Sequence, residues 1–183
     1  MSHPNPMNAL PPTRAVVDLG AVEHNMAQVR GLVGEEVEIL AVVKADGYGH
    51  GAVKVARACE RAGAALLGVA LVEEGAELRR AGIGLPILVQ CCAGENEIDA
   101  LLEYELTPTI ASCEFAERIS EKASAAGVTA SAHADIDTGM GRIGFSPRTA
   151  VEEISKVSSL PNLNLDGIYT HFATSEIEDD PCT

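Results

Sequence analysis

Short apolar runs recur along the chain at 38–44, 66–71, 86–90, 106–110, 130–136 and 167–172. Runs of this length, bounded by glycine, proline and polar residues, predict buried strands. Between them lie amphipathic segments rich in alanine and glutamate, at 52–62, 73–81, 95–103, 113–126 and 147–158, which predict helices. Gly63, Gly82 and Gly127 stand where helix C-termini accept a left-handed residue, and Pro147 stands just inside a helix start. Ahead of this alternation, 14–19 predicts a short strand. Gly20 or Asp18 then caps a helix through Gly31, with Val22, Met26 and Val29 on one face. Strands alternating with helices argue for a parallel sheet covered by helices, either doubly wound or curled into a barrel.

Side-chain alternation favours the barrel. On 130–136 it places Ser131, His133 and Asp135 on one face and Ala130, Ala132, Ala134 and Ile136 on the other. On 167–172 it places Tyr169 and His171 together, opposite Ile168, Thr170 and Phe172. Polar residues gathered toward the C-terminal ends of strands suit a TIM-type (β/α)8 barrel, whose chemistry sits there. A complete eight-stranded barrel takes roughly 250 residues. The 183 residues here supply only about six βα units. The expectation is an incomplete barrel over 14–176, between a loose tail at 1–13 and an acidic loop at 177–183, and hence a fragment of a longer protein.

Composition narrows the partners. With 27 acidic against 13 basic residues and a formal charge of −14, nucleic acid is excluded as an expected partner. The longest apolar stretch, 62–72, is broken by Gly63 and Gly68 and falls short of a membrane span. The N-terminal residues carry four prolines and no apolar core, so they read as neither signal nor anchor. The cysteines, Cys59, Cys91, Cys92, Cys113 and Cys182, are odd in number and lack metal-ligand spacing. They are expected to be reduced thiols in a cytoplasm, mostly buried as small hydrophobes.

The stretch 41–51 carries the chemistry. An apolar strand ends on Lys44, and Gly47, Gly49 and Gly51 then allow a sharp turn before a helix opens near Ala52. An amine on a rigid support beside an anion-binding loop has the parts of a Schiff-base site. Composition alone leaves this reading level with a lysine snorkelling from a strand end. The loop is not a nucleoside-triphosphate loop, because it lacks the G-K-[ST] ending.

The run VVKADGYGHG at 42–51 resembles the cofactor-lysine motif of alanine racemases, fold-type III enzymes that bind pyridoxal 5'-phosphate (PLP). The run DTGMGRIG at 137–144 resembles their DTGMGR-x-G signature, and GIYTHFA at 167–173 resembles their Y-T-H-F-A-T signature. Asp18, Leu19 and Asn25 are similar to the family's opening. The resemblance implies that Lys44 holds PLP as an internal aldimine and moves the α-proton on one face of the substrate, for which its amine must be neutral. It implies further that Tyr48 contacts the cofactor phosphate and that Arg142 lies near the cofactor's phenolic oxygen and the substrate carboxylate. By the same resemblance His171 is expected to pack against the pyridine ring, with Tyr169 beside it on the same strand face. The implied activity is interconversion of L-alanine and D-alanine, supplying D-alanine for peptidoglycan, by a cytoplasmic homodimeric isomerase.

One position departs from the pattern. Seven residues before the signature arginine, where many members carry a carbamylated lysine, stands Asp135. The expectation is that Asp135 orients Arg142 directly or through a water. The family's β-rich C-terminal domain, whose tyrosine serves as second base from the partner subunit, has no counterpart here, so the chain alone is expected to show little activity. Three alternatives stay open: a racemase for serine or another small amino acid, a non-catalytic PLP-binding barrel, and a metal site built from His133, Asp135 and His171.

Overall fold

The computed structural model describes residues 13–178. Six strands lie parallel in one sheet in sequence order: β1 (Leu40–Val42), β2 (Leu66–Val69), β3 (Ile87–Val89), β4 (Thr107–Ile110), β5 (Ala130–Asp135) and β6 (Leu163–Tyr169). The helices are α1 (Leu19–Val33), α3 (Ala52–Arg61), α4 (Val72–Arg80), α5 (Ile98–Glu103), α6 (Cys113–Ala126) and α7 (Ala150–Val157). The element α2 (Lys44–Gly49) is a turn of the opposite hand. This is the expected α/β layout of a TIM-type barrel with six strands in place. Among the described residues, β1 and β6 each have a strand neighbour on one side only.

The alternation within the strands sorts residues as the pattern requires. One face of β1 to β3 sends Ala41, Val43, Leu67, Val69, Ile87 and Val89 into a buried cluster with α3 and α4. On β4 and β5, Ile110, Ala130, Ala132 and Ala134 do the same against α6 and α7. Alanine on β5 lets these helices lie close. The opposite face of β5 carries Ser131, His133 and Asp135, which become progressively more buried toward the C-terminal end.

Capping and buttressing are explicit. The Asp18 carboxylate accepts the Gly20 and Ala21 N–H groups at 2.9 and 3.3 Å, so it is the cap of α1. Ser112 caps α6 through the Phe115 N–H, and Gly127, at φ 69°, ends it. Arg79 at the end of α4 donates to the carbonyls of Tyr104, Ile83, Leu85 and Glu105, tying the loops before β3 and β4 together.

Several expectations are corrected. Residues 13–18 form no strand and are exposed, and among the described residues β1 pairs with β2 alone. The α1 helix runs on to Val33, and Val29 is exposed, so only Leu19, Val22 and Met26 pack on the core. The last strand begins at Leu163 and ends at Tyr169, leaving His171 and Phe172 beyond it. Its early half pairs Leu163 and Leu165 with Ala130 and Ala132, and a bulge then shifts Gly167 opposite His133. That close approach requires glycine, since a Cβ at 167 would sit 2.8 Å from the His133 ring. The helix expected over 147–158 starts at Ala150, after a turn in which Ser146 accepts the Thr149 and Ala150 N–H groups. The expected tail at 1–13 and the acidic loop at 177–183 fall almost wholly outside the described residues.

Candidate active site

All six strands end on one side of the sheet, and a cleft of about 220 Å³ opens there. Val42 reaches it from β1, Asp135 from β5 and Tyr169 from β6, while Lys44, Ala70, Gln90 and Cys91 stand just beyond the ends of β1, β2 and β3. Tyr48, Arg142 and His171 complete it from the loops. The residues singled out from the sequence, Lys44, Tyr48, Asp135, Arg142, Tyr169 and His171, therefore share one wall although they span 128 positions (44 to 171 inclusive). A larger cavity of about 420 Å³ lies at the opposite strand ends. Its Arg79 is already committed to backbone carbonyls, which leaves it no chemistry to match.

Lys44 is half-buried at the head of an unusual backbone. Ala45, Asp46, Gly47 and Tyr48 all have φ between 51° and 60° and ψ between 40° and 53°, a complete left-handed turn. Three of these are not glycine, and at about 1–2 kcal/mol each the strain amounts to roughly 3–6 kcal/mol. Specific bonds hold it. The Gly47 N–H donates to the Val43 carbonyl at 2.9 Å, and the Gly51 N–H to the Asp46 carbonyl at 2.8 Å. The Asp46 carboxylate accepts the Ala52 N–H at 2.8 Å and so starts α3. Strain of this kind persists only where the surroundings over-determine it, and it collects at functional sites. Tyr48, at the end of the turn, is 60% exposed and forms the rim of the cleft.

The loop after β5 is built around Asp137. Its Oδ1 accepts the Gly139 and Gly141 N–H groups at 3.0 and 2.9 Å, and its Oδ2 accepts the Arg142 N–H at 2.9 Å. The N–H donors of Gly141 and Gly139 hold this carboxyl below the usual carboxylate range. Arg142 thereby leaves the loop from a fixed backbone. Thr138 and Thr170 join hydroxyls at 2.7 Å and latch the loop to the end of β6.

Tyr169 spans the floor of the cleft. The Thr109 hydroxyl donates to the Val89 carbonyl at 2.7 Å and stands 2.8 Å from the Tyr169 hydroxyl. A threonine hydroxyl has one proton, so the phenol is the donor in the second bond. Burial pushes the Tyr169 phenol up to about 12, which keeps that proton in place. Its ring is what it offers the cleft. A Thr109→Val variant leaves the phenol without its acceptor, at an expected cost of about 1–3 kcal/mol. Denaturant unfolding of the two proteins measures this.

Asp135 is 4% exposed, and its Oδ1 accepts no hydrogen bond among the described residues. Burial pushes its carboxyl up, partly offset by the Arg142 guanidinium, while Asp137 adds to the rise. The influence of Arg142 is thus electrostatic, and no ion pair between the two is formed among the described residues. A carboxyl with a raised folded-state pKa favours folding fully below its unfolded value, about 3.9. That contribution is lost as pH rises through the folded value. Asp135→Asn is therefore expected to stabilise the cofactor-free protein at pH 7, on the order of 1 kcal/mol. The gain should close as the pH approaches the unfolded carboxylate pKa, and thermal melts of both proteins across that range test it.

The metal reading fails. Among the described residues no group of three histidine, cysteine or acidic side chains is placed to hold an ion. His133 lies one pair deeper on β5 against Gly167, where burial lowers its pKa, and His171 stands exposed beyond β6. Two cysteine expectations also change. Cys59 is buried and its thiol is pushed up by burial, but Cys91 and Cys92 are exposed and Cys91 lines the cleft. Cys182 lies outside the described residues.

The family "Alanine racemase, N-terminal domain" matches residues 17–183. The chain belongs to this family. It is 46% identical over 169 residues to an alanine racemase of Desulforamulus reducens, covering 92% of this chain and 46% of that protein. It is 41% identical to one of Methanococcus maripaludis, covering 92% and 45%. Alanine racemase of Clostridium difficile in complex with cycloserine superposes with a TM-score of 0.83 at 40% identity, over 85% of this chain and 43% of that one. A histidine racemase of Leuconostoc mesenteroides superposes with a TM-score of 0.82 at 30% identity, over 90% and 44%. This alanine racemase N-terminal domain spans about half the length of the relatives it matches. No helix among its described residues is long and apolar enough to cross a membrane.

Proposed function

We propose that this chain is the lysine-bearing part of a PLP-dependent alanine racemase, an isomerase that interconverts L-alanine and D-alanine. One observation carries the reading: Lys44, Tyr48, Asp135, Arg142, Tyr169 and His171 line a single cleft at the C-terminal strand ends, where barrels of this type keep their chemistry. The donor set fits the cofactor. An amine, a guanidinium, an imidazole and the Tyr48 phenol suit an anionic aromatic aldehyde, and the Tyr169 ring offers it an aromatic face.

Bound there, PLP supplies the electron sink that makes the α-proton of an amino acid removable. Lys44 would hold it through Nζ and, with its amine free, would take or return the proton at Cα of the substrate on one face. Arg142 would offer a planar, permanently charged fork to the cofactor's phenolic oxygen and to the substrate carboxylate, a task lysine does less well. Asp135 biases that guanidinium by its charge across the cleft. Tyr48 would meet its phosphate from the rim, and His171 and Tyr169 would pack against its ring.

The proton on the opposite face needs a second base. In this reading it comes from the part of a longer protein that the relatives possess, contributed by the partner subunit of a homodimer. The product D-alanine serves peptidoglycan in a cytoplasm where the thiols stay reduced.

The test is isotope exchange. The purified chain with PLP in heavy water is expected to exchange the Cα proton of L-alanine faster than it forms D-alanine, because one base suffices for exchange and two are needed for efficient inversion. Serine and histidine serve as comparators. The superposed alanine racemases are 31–40% identical to this chain and the histidine racemase 30%, so histidine belongs among the comparators. Faster exchange on serine or histidine would move the substrate, and cofactor binding with no exchange on any of the three would overturn the catalytic reading.

A further inference from the structure

We propose that Glu74, on the first turn of α4, is a positioning residue that holds the left-handed turn after Lys44 in register with the end of β2. The idea deepens the preceding section, since it rests on Lys44 being the cofactor amine. The half-buried Glu74 carboxylate uses both oxygens. Oε1 accepts the Ala45 N–H at 2.6 Å. Oε2 accepts the Ala70 N–H at 2.7 Å and the Leu71 N–H at 3.1 Å. One side chain therefore joins the residue after Lys44 to the residue of β2's exit loop that lines the same cleft.

The competing view is that Glu74 merely caps α4. Capping needs only Oε2, because the Leu71 and Ala70 N–H groups precede that helix. The bond from Oε1 crosses 29 positions to Ala45 and serves α4 in no way. It also meets a residue at φ 51°, one the chain would otherwise leave for the right-handed region. A charged acceptor spanning both sites is what keeps β1's lysine and β2's exit loop at a fixed spacing, since an N–H···carboxylate bond is stronger than a neutral one. A glutamine offers one carbonyl oxygen and turns its NH2 against the remaining N–H groups, so Glu74→Gln keeps the shape and loses the double acceptance.

A matched control exists in the same molecule. Glu97 accepts the Gly94 N–H at 2.6 Å at the start of the turn before α5, a cap remote from the cleft. The experiment compares wild type, Glu74→Gln and Glu97→Gln in cofactor-free protein by two readouts. Amide hydrogen exchange at Ala45 is expected to quicken about tenfold in Glu74→Gln alone, the factor for losing one charge-assisted bond. Trace acetylation by acetic anhydride is expected to shift the Lys44-to-Lys54 labelling ratio about threefold in the same variant, less than the full factor because the amine lies at the end of a flexible side chain one residue from the lost bond. Both shifts in Glu74→Gln with neither in Glu97→Gln support the proposal. No shift, a shift in one readout only, or equal shifts in both variants overturns it. PLP is then added to wild type: failure to label Lys44 would sink the cofactor reading and leave the positioning role of Glu74 to be decided by the two cofactor-free readouts.

Discussion

Lys44→Ala is expected to abolish covalent attachment of PLP and to reduce Cα exchange of L-alanine by roughly 10²–10⁴-fold, the contribution of a positioned acid–base group. The residue is half-buried at the end of β1 and lines the cleft, and the left-handed turn behind it fixes its backbone. The effect should fall on chemistry and leave the fold alone. Lys44 makes no ion pair among the described residues, and it packs into neither buried cluster. Unfolding curves of variant and wild type without cofactor should therefore superimpose within about 0.5 kcal/mol. A variant that exchanged alanine at the wild-type rate would remove Lys44 from the mechanism.

Gly144→Ala is expected to act in the opposite way, through structure. Gly144 has φ +125°, and a Cβ there would stand 2.5 Å from the Asp137 nitrogen, 2.9 Å from the Ile136 carbonyl carbon and 3.0 Å from the Asp135 oxygen. All three are backbone atoms, so no rotamer change relieves them. The close approach exists because Phe145 returns against β5: its N–H donates to the Asp135 carbonyl at 2.8 Å, and its carbonyl accepts the Asp137 N–H at 3.0 Å. Phe145 is 2% exposed, so the return cannot be given up without opening the core beneath α7. Overpacking costs about 1–3 kcal/mol, and a strained backbone about the same again. The sum is a loss of roughly 2–6 kcal/mol, with displacement of the loop that carries Arg142. Calorimetry measures the first, and loss of Cα exchange reports the second.

Much of this was legible in the sequence because the signals were local. Alternation on 130–136 sorted Ser131, His133 and Asp135 from the alanines correctly, since strand geometry alone decides it. The glycine at 127 placed the C-terminal end of α6, because its chemistry is confined to one turn. What stayed hidden depended on partners far along the chain. The Tyr169–Thr109 bond joins residues 60 positions apart, and Glu74 reaches Ala45 across 29. The early start of β6 at Leu163 and the later bulge that brings Gly167 opposite His133 are both matters of pairing with β5, and a stretch reading P-N-L-N gave no sign of either. Asp137 is an intermediate case. An aspartate followed by glycines at its second and fourth positions announces a carboxylate gathering loop N–H groups, and the pattern was there to be used.

The central claim is that the Lys44 amine bonds covalently to PLP in this cleft. Borohydride reduction of the chain incubated with PLP, followed by protease digestion and peptide mass spectrometry, tests it most directly. The account predicts a yellow protein whose colour shifts on reduction and a pyridoxyl mass on the peptide bearing Lys44. A label spread over exposed lysines such as Lys54, with Lys44 unmodified, would contradict it.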